Sequence, residues 1–429
     1  MSLEKHFCSS PWFHMRILND GSYNYCRWSS TKHETSDDSI KTKQIKLFFQ
    51  NDLSNLRTSL LNGESIESCT DCYKMEEYQK VSGRQKQLLK VGIDTDNFVK
   101  TSLSTTWKSV FEHSMHNDGH TDQLPQDWQI DLGNHCNSAC MFCHPDSSSR
   151  LAKEFKTIGL INNLPKKNWS TDDELLNSFL EFLSESKNLN YLHFIGGETL
   201  ITPAFKKILE KLISNGLNKK LTIGITTNLT VWQDDVYELL KKFDLHVGLS
   251  IECLHPVNEY VRYGGNYEKT LQLLDKWVAK SKQNNWTASI RTTPTLLSIL
   301  YLDTVYEYCL KNKVFIESCN FLNEPKFLRP SVLPTFYRQQ VLEKISLWLN
   351  KNSTSISDHK IINIRNKSTV DQQIIEDFIS YKNYLENESD ESFRLPDTVS
   401  YIKKLESTRQ NSVIDYLPEY EELFRTAGY

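Results

Sequence analysis

The run Gly133-Asn134-His135-Cys136-Asn137-Ser138-Ala139-Cys140-Met141-Phe142-Cys143-His144 sets three thiols at C-x3-C-x2-C spacing. Three thiolates are one too few to close a cubane iron–sulfur cluster, which leaves one iron for a ligand that is not protein. A zinc knuckle is the other use of such spacing. It needs a fourth His or Cys, and His144, adjacent to Cys143, is poorly placed to close a tetrahedron.

Immediately upstream, Trp128-Gln129-Ile130-Asp131-Leu132 alternates as a strand does, and Phe142 puts an aromatic ring directly before the third cysteine. In these features the segment resembles the cluster loop of the radical S-adenosylmethionine (SAM) enzymes. The resemblance implies that Cys136, Cys140 and Cys143 hold a [4Fe–4S] cluster whose open iron is chelated by the amino and carboxylate groups of SAM. It also implies Phe142 beside the cofactor and an electron donor such as flavodoxin or ferredoxin.

The chain is long enough, at 429 residues, for about two to three domains. Its 38% hydrophobic and 11% aromatic content supports well-filled cores, and a formal charge of −4 gives no basic footprint for nucleic acid. The opening Met1-Ser2-Leu3-Glu4-Lys5-His6-Phe7 has no signal-peptide core. No apolar run approaches the roughly 18 residues that a membrane helix requires. A cytoplasmic protein is expected, in which ten cysteines serve as metal ligands or free thiols rather than disulfides.

A second cysteine group opens the chain. Cys8 is followed by Gly21 and Cys26 in C-x12-G-x4-C spacing, and later by Cys69-Thr70-Asp71-Cys72. The pattern is similar to the C-x(9–15)-G-x4-C element and C-x2-C of SPASM and twitch domains, auxiliary modules of radical SAM enzymes. That similarity implies one auxiliary [4Fe–4S] cluster on Cys8, Cys26, Cys69 and Cys72, since no further cysteine precedes Cys136. A four-cysteine zinc ribbon is the alternative. Here the module precedes the catalytic domain, whereas in the family it usually follows. Asn19-Asp20-Gly21-Ser22 reads as a hairpin turn that folds Cys8 and Cys26 together.

From Trp128 to about Pro330, short apolar strands alternate with helical segments, the pattern of βα units and a parallel sheet. Six strands are expected, near 129–132, 191–195, 221–226, 245–251, 287–292 and 314–319. After the second, Thr202 caps a helix, Pro203 takes its first turn, Phe205, Ile208, Leu209, Leu212 and Ile213 form its apolar face, and Gly216 stops it. Six units match the open (β/α)6 TIM-like partial barrel of the radical SAM family, an α/β fold whose ligand site lies at the C-terminal strand ends.

The special residues fall at those ends. Gly196-Gly197-Glu198 resembles the family's GGE motif, in which glycine carbonyls approach the methionine ammonium of SAM and the carboxylate adds a charge-assisted contact. Thr226-Thr227-Asn228 is similar to T-N-G, with Leu229 in place of glycine. Ser250-Ile251-Glu252-Cys253 resembles S-x-D-G, with Glu for Asp and Cys for Gly. The resemblance points Asn228, Ser250 and Glu252 at the ribose and carboxylate of SAM. Arg262 matches the position of a family arginine; a carboxylate partner is one reading and a surface salt bridge the other. Arg291, inside the fifth strand, is its rival for an anionic partner. Cys253 is a candidate hydrogen donor to a substrate radical, as in radical SAM epimerases, or else a small buried hydrophobe. Cys309 and Cys319 are weaker rivals for that role.

The expected organisation is an N-terminal twitch-like module (1–100) with a helical stretch over 44–62, a polar linker (101–127), the barrel (128–330) and a helical C-terminal region (331–429). The linker carries His113, His116 and His120, a metal tract or a solvated face. Helices are expected over 335–350, 370–387, 398–409 and 417–426, with loops at 352–357 and 386–391. The C-terminal region covers the open barrel or binds substrate. The expected activity is reductive cleavage of SAM and hydrogen abstraction from a peptide or small-molecule substrate, with oxidation or epimerisation as outcomes. A non-catalytic iron–sulfur or zinc protein that binds a partner is the alternative of a different class.

Overall fold

The computed structural model describes residues 6–26, 42–77, 81–93, 105–165, 168–186, 188–352 and 369–429. Its strands are β1 (His14–Ile17), β2 (Tyr23–Asn24), β3 (Asp127–Asp131), β4 (Ala139–Cys140), β5 (Tyr191–Ile195), β6 (Thr222–Thr227), β7 (Asp244–Ser250), β8 (Arg262–Tyr263), β9 (Thr287–Thr292) and β10 (Phe315–Cys319). Eight of them form one sheet in the order β10-β9-β7-β6-β5-β3-β1-β2. All its pairings are parallel except β1 with β2.

The six expected strands are β3, β5, β6, β7, β9 and β10, and the α/β class with a parallel sheet is the observed one. The sheet has two strands more than the six expected, because β1 pairs in parallel with β3 from His14↔Asp127 to Ile17↔Ile130. The cause is legible in side chains: Met15, Ile17 and Tyr23 are buried, and joining the sheet gives their apolar surface cover. The hairpin turn forms as expected, with Gly21 at φ 88° and Leu18 N donating to Ser22 O at 2.8 Å.

Strand alternation divides the sheet into two chemistries. Trp128, Ile130, Leu192, Phe194, Ile223, Ile225, Val247, Leu249 and Ile290 belong to the main hydrophobic core. Trp128 meets Phe179 and Phe182 edge-on, with ring centroids 5.6 and 5.4 Å away. The alternate positions, among them Gln129, Asp131, His193, Arg291 and Glu317, give the opposite face of the sheet a polar lining.

The helix Pro203–Ser214 buries Phe205, Ile208, Leu209 and Leu212. Gly216 follows at φ 69°, but the Thr202 hydroxyl donates to Glu198 O at 3.0 Å instead of capping the helix. The stretch expected as a linker contains the helix Thr105–His116. Its Phe111 packs edge-on against Phe7 and Trp12, each 5.2 Å away, so this stretch completes the N-terminal core. Its histidines diverge, His113 toward Asp122, His116 to the Glu112 carbonyl and His120 to Asn51.

In the C-terminal region the helices are Thr335–Asn352, Val370–Asn387, Leu395–Glu406, Val413–Tyr416 and Glu421–Thr426. The third begins three residues before the expected 398 because Pro396 suits a first turn. Residues 353–357 of the expected loop lie outside the described residues. No helix among the described residues is long and apolar enough to cross a membrane.

Arg57 ties the N-terminal layer together. Its guanidinium donates to Pro11 O (3.0 and 2.8 Å), Gly119 O (3.2 Å) and the Phe49 carbonyl. Burial brings its pKa down to about 9. Arg57→Leu is expected to leave these carbonyls without their donors and to lower the unfolding free energy by about 3 kcal/mol in urea denaturation. A loss below about 1 kcal/mol would show that the carbonyls find other donors.

Candidate active site

The three-cysteine loop leaves the C-terminal end of β3 and is held from several sides. Asp131 Oδ1 accepts from Gly133 N at 3.0 Å, Asn168 Oδ1 from Asn134 N at 3.0 Å, and Ser149 Oγ from Cys136 N at 3.3 Å. β4, which ends in Cys140, pairs antiparallel with β8, and Met141 N donates to Val261 O at 2.9 Å. The Ser148 hydroxyl donates to Ser138 O at 2.6 Å while capping the following helix at Leu151 N.

These contacts bring the three thiols to one place. Burial first, then the neighbouring Cys140, pushes the Cys136 thiol up to about 11. Cys143 is likewise raised by burial and then by Cys140 and Cys136. Three cysteine donors are the set that a cluster with one open iron takes; as placed here, no three of the His, Cys, Asp and Glu side chains among the described residues are arranged to hold a metal ion.

Gly196 and Gly197 adopt φ 88° and 49°. A Cβ on Gly196 would collide with Asp131, and one on Gly197 with the backbone of His135. Their bareness lets the turn lie on the cysteine loop, sealed by Glu198 N donating to His135 O at 2.9 Å. Glu198 itself is fully buried, and its oxygens accept from Asn228 N at 2.6 Å and Leu200 N at 3.2 Å. Burial raises its carboxyl to about 7 against those two donors. The Asn228 contact ties the ends of β5 and β6 together.

Asn228 Nδ2 donates to Asn137 Oδ1 at 3.0 Å and Ser138 Oγ at 3.1 Å, and stands 3.8 Å from Cys136 Sγ. Leu229, where the motif has glycine, keeps the left-handed backbone with φ 61° and is wholly buried. Ser250 is half-buried at the end of β7, in register with Arg291.

Arg262 and Glu252 are brought together as a buried ion pair at 2.7 Å, and Glu252 also accepts from Thr292 Oγ1 at 3.0 Å and from Thr293 N. Burial works against the Arg262 cation, but the nearby Cys140 and Glu252 outweigh it and raise its pKa. The guanidinium lies 5.9 Å over the Phe142 ring. Of the two readings of Arg262, the carboxylate partner is the one observed, and that partner is the buried Glu252 rather than a surface residue. Arg291 lies elsewhere, paired with Glu317 through Nη2–Oε1 at 2.5 Å and Nε–Oε2 at 3.0 Å. Cys253 is wholly buried in the main core, its Sγ directed to His255 O at 4.0 Å. The S-x-E-C variation therefore places this thiol in the core.

The N-terminal cysteines converge as well. Cys8, Cys26, Cys69 and Cys72 line one small pocket with Ser10, Tyr25, Ser68, Gly83, Arg84 and Gln87. Burial first, then a neighbouring cysteine, pushes Cys69 up to about 11 and Cys72 up to about 12. Arg84 is fixed by Glu76 and by Phe7 O at 2.9 Å. The thiol set has the four ligands that a fully coordinated cluster takes.

Sequence reading missed the clamps from the C-terminal region onto the cysteine loop. Tyr401 OH donates to Met141 O at 2.7 Å, and Arg409 Nη2 donates to Ala139 O at 2.9 Å and Glu154 at 2.7 Å. Contacts spanning 260 and 270 residues leave no periodic mark in the sequence.

Residues 130–292 match the family model of the Radical SAM superfamily. The chain carries a radical SAM domain, within which the three-cysteine loop, the Gly-Gly-Glu turn and Asn228 all fall. An uncharacterized protein of Methanocaldococcus jannaschii is 25% identical over 224 residues, 52% of this chain and 69% of that protein. Among solved structures, native anSMEcpe with bound AdoMet is 19% identical with a TM-score of 0.37, covering 53% of this chain and 61% of that one. Streptococcus suis SuiB bound to precursor peptide SuiA is 14% identical with a TM-score of 0.38, covering 82% and 70%.

Gly197→Ala is expected to push the turn off the cysteine loop and lower the iron content of anaerobically reconstituted protein by about four. Gly216→Ala is the control, because it shares the left-handed backbone but a Cβ there meets nothing within 4 Å. Equal iron retention in both variants would show that the Gly197 contact does not shape the loop.

Proposed function

We propose that this chain is a radical SAM enzyme in which Cys136, Cys140 and Cys143 hold the SAM-binding [4Fe–4S] cluster and Cys8, Cys26, Cys69 and Cys72 an auxiliary one. The observation that carries the reading is the contact of three motifs at the C-terminal strand ends: cysteine loop, Gly-Gly-Glu turn and Asn228. When bound and reduced by a donor such as flavodoxin or ferredoxin, cluster and SAM supply a 5′-deoxyadenosyl radical that abstracts a hydrogen atom from substrate.

The protein's part is positional. Asn228 turns an N–H toward Cys136, Arg262 places positive charge beside Cys140, and Tyr401 and Arg409 fix the loop through its Met141 and Ala139 carbonyls. Oxidation of the substrate, with the auxiliary cluster receiving its second electron, is favoured over epimerisation because Cys253 is packed in core. The substrate is a small molecule or a peptide.

Anaerobic reconstitution is expected to load about eight irons, four for each cubane. Alanine at Cys136, Cys140 and Cys143 together should leave about four and abolish 5′-deoxyadenosine formation; SAM cleavage by that variant would sink the assignment, and zinc in place of iron would favour the partner-binding alternative.

Cys69→Ala with Cys72→Ala should remove the other four irons yet keep some reductive SAM cleavage, since radical generation needs only the barrel cluster. Zinc in this site with product formation undiminished would overturn the redox role.

A further inference from the structure

The N-terminal thiols lie largely out of water, Cys8, Cys26 and Cys72 buried and Cys69 half-buried. A reduced iron–sulfur cluster carries one more negative charge than its oxidised form. Burial therefore works against reduction unless nearby cations and hydrogen-bond donors compensate.

Arg84 supplies that compensation. It brings a positive charge to a pocket lined otherwise by the thiols and by uncharged residues such as Tyr25, Ser68 and Gln87, and 5% of its side chain is exposed. It stands in the first turn of the helix Gly83–Lys90, where backbone N–H groups have no partner within the helix. The Arg84 N–H is directed instead to Cys72. Its guanidinium is fixed, Nη1 donating to Phe7 O at 2.9 Å, Nε to Glu76 Oε1 at 3.1 Å and Nη2 to Glu76 Oε2. Glu76 is held in turn by the hydroxyl of Ser82, the cap of the same helix.

The two members of this pair act on the thiols with opposite sign. Burial pushes Cys69 and Cys72 up, and the Arg84 charge opposes it at both, whereas Glu76 adds to the rise at Cys72. Burial works against the Arg84 cation as well, but Glu76 and then Cys8 outweigh it and raise its pKa.

The helix that carries Arg84 is also the partition between these thiols and the barrel. Gly83 and Gln87 line the four-cysteine pocket and, with Gln129 and His193 from the polar face of the sheet, a cavity of about 610 Å³. An electron passing from that cavity to the thiol site has one helix to cross.

We propose that Arg84 raises the reduction potential of the N-terminal site and so biases it to accept an electron from the barrel interior, with Glu76 limiting the bias. The proposal rests on the reading that Cys8, Cys26, Cys69 and Cys72 hold a [4Fe–4S] cluster. The step is a one-electron transfer: the substrate radical is oxidised, the cluster is reduced by one electron, and the proton that the substrate then releases passes to solvent.

The test uses the full chain with Cys136, Cys140 and Cys143 each replaced by alanine, reconstituted anaerobically, so that iron content and the electron paramagnetic resonance signal report one site. Its midpoint potential is read by redox titration. Arg84→Gln is expected to lower the midpoint and Glu76→Gln to raise it, each by at least the equivalent of a tenfold change in the reduction equilibrium, about 59 mV for one electron. Arg84→Lys, which keeps the charge, should lie closer to the parent than Arg84→Gln does. A role confined to folding would lower iron content without moving the two midpoints in opposite directions. If Arg84→Gln does not retain iron, Glu76→Gln decides. Iron retained with midpoints unchanged, or moved the same way, overturns the role of Arg84 and leaves the cluster reading intact. A parent protein without iron, or with zinc, overturns that reading and the proposal with it.

Discussion

The backbone contact between Gly197 and His135 is the constraint on which the candidate site depends. Two glycines bring the end of β5 against the cysteine loop more closely than any side chain would allow, and Glu198 N closes the seam on His135 O. From there the Glu198 carboxylate reaches Asn228 N, and Asn228 reaches Asn137 and Ser138. The thiols are thus placed by three strand ends acting through one backbone seam and the buried side chains of Glu198 and Asn228.

A polar barrel lining needs its own accommodation. Arg291 lies against Gly248, and the Tyr191 and His193 rings lie against Gly224, each at a distance that a Cβ would prevent. Glycine in a strand gives up packing and backbone entropy, yet here it makes room for the Arg291–Glu317 pair and the His193–Thr226 hydrogen bond. Inner-face glycines and buried pairs belong to one arrangement: satisfied polar groups inside a sheet whose outer face supplies the hydrophobic core.

Much of this was legible in the sequence because its causes are local. Strand alternation marks β3, β5, β6, β7, β9 and β10, Pro203 and Gly216 bound a helix, and the turn at Gly21 needs positive φ. The cysteine spacings and the Gly-Gly-Glu turn also point to groups that converge in space. What escaped was decided by distant partners. β1 is four residues long and finds its place only against β3. Arg262 and Arg291 look equivalent in sequence, and only the fold gives one to Glu252 beside the cysteine loop and the other to Glu317. The residue after Glu252 reads as a possible reagent until packing shows it enclosed.

The pairing of β1 with β3 bears on how the chain is made. His14 and Asp127 are 113 positions apart, so β1 leaves the ribosome long before its template exists. At synthesis rates of about 5–20 residues per second it waits several seconds or more. During that interval Met15 and Ile17 must be sheltered by the adjacent hairpin and helices, and high contact order slows the closing step. The same geometry makes residues 6–26 inseparable from the barrel. Excision would bare the β3 edge, an unpaired strand with a buried, apolar flank of the kind that recruits other chains.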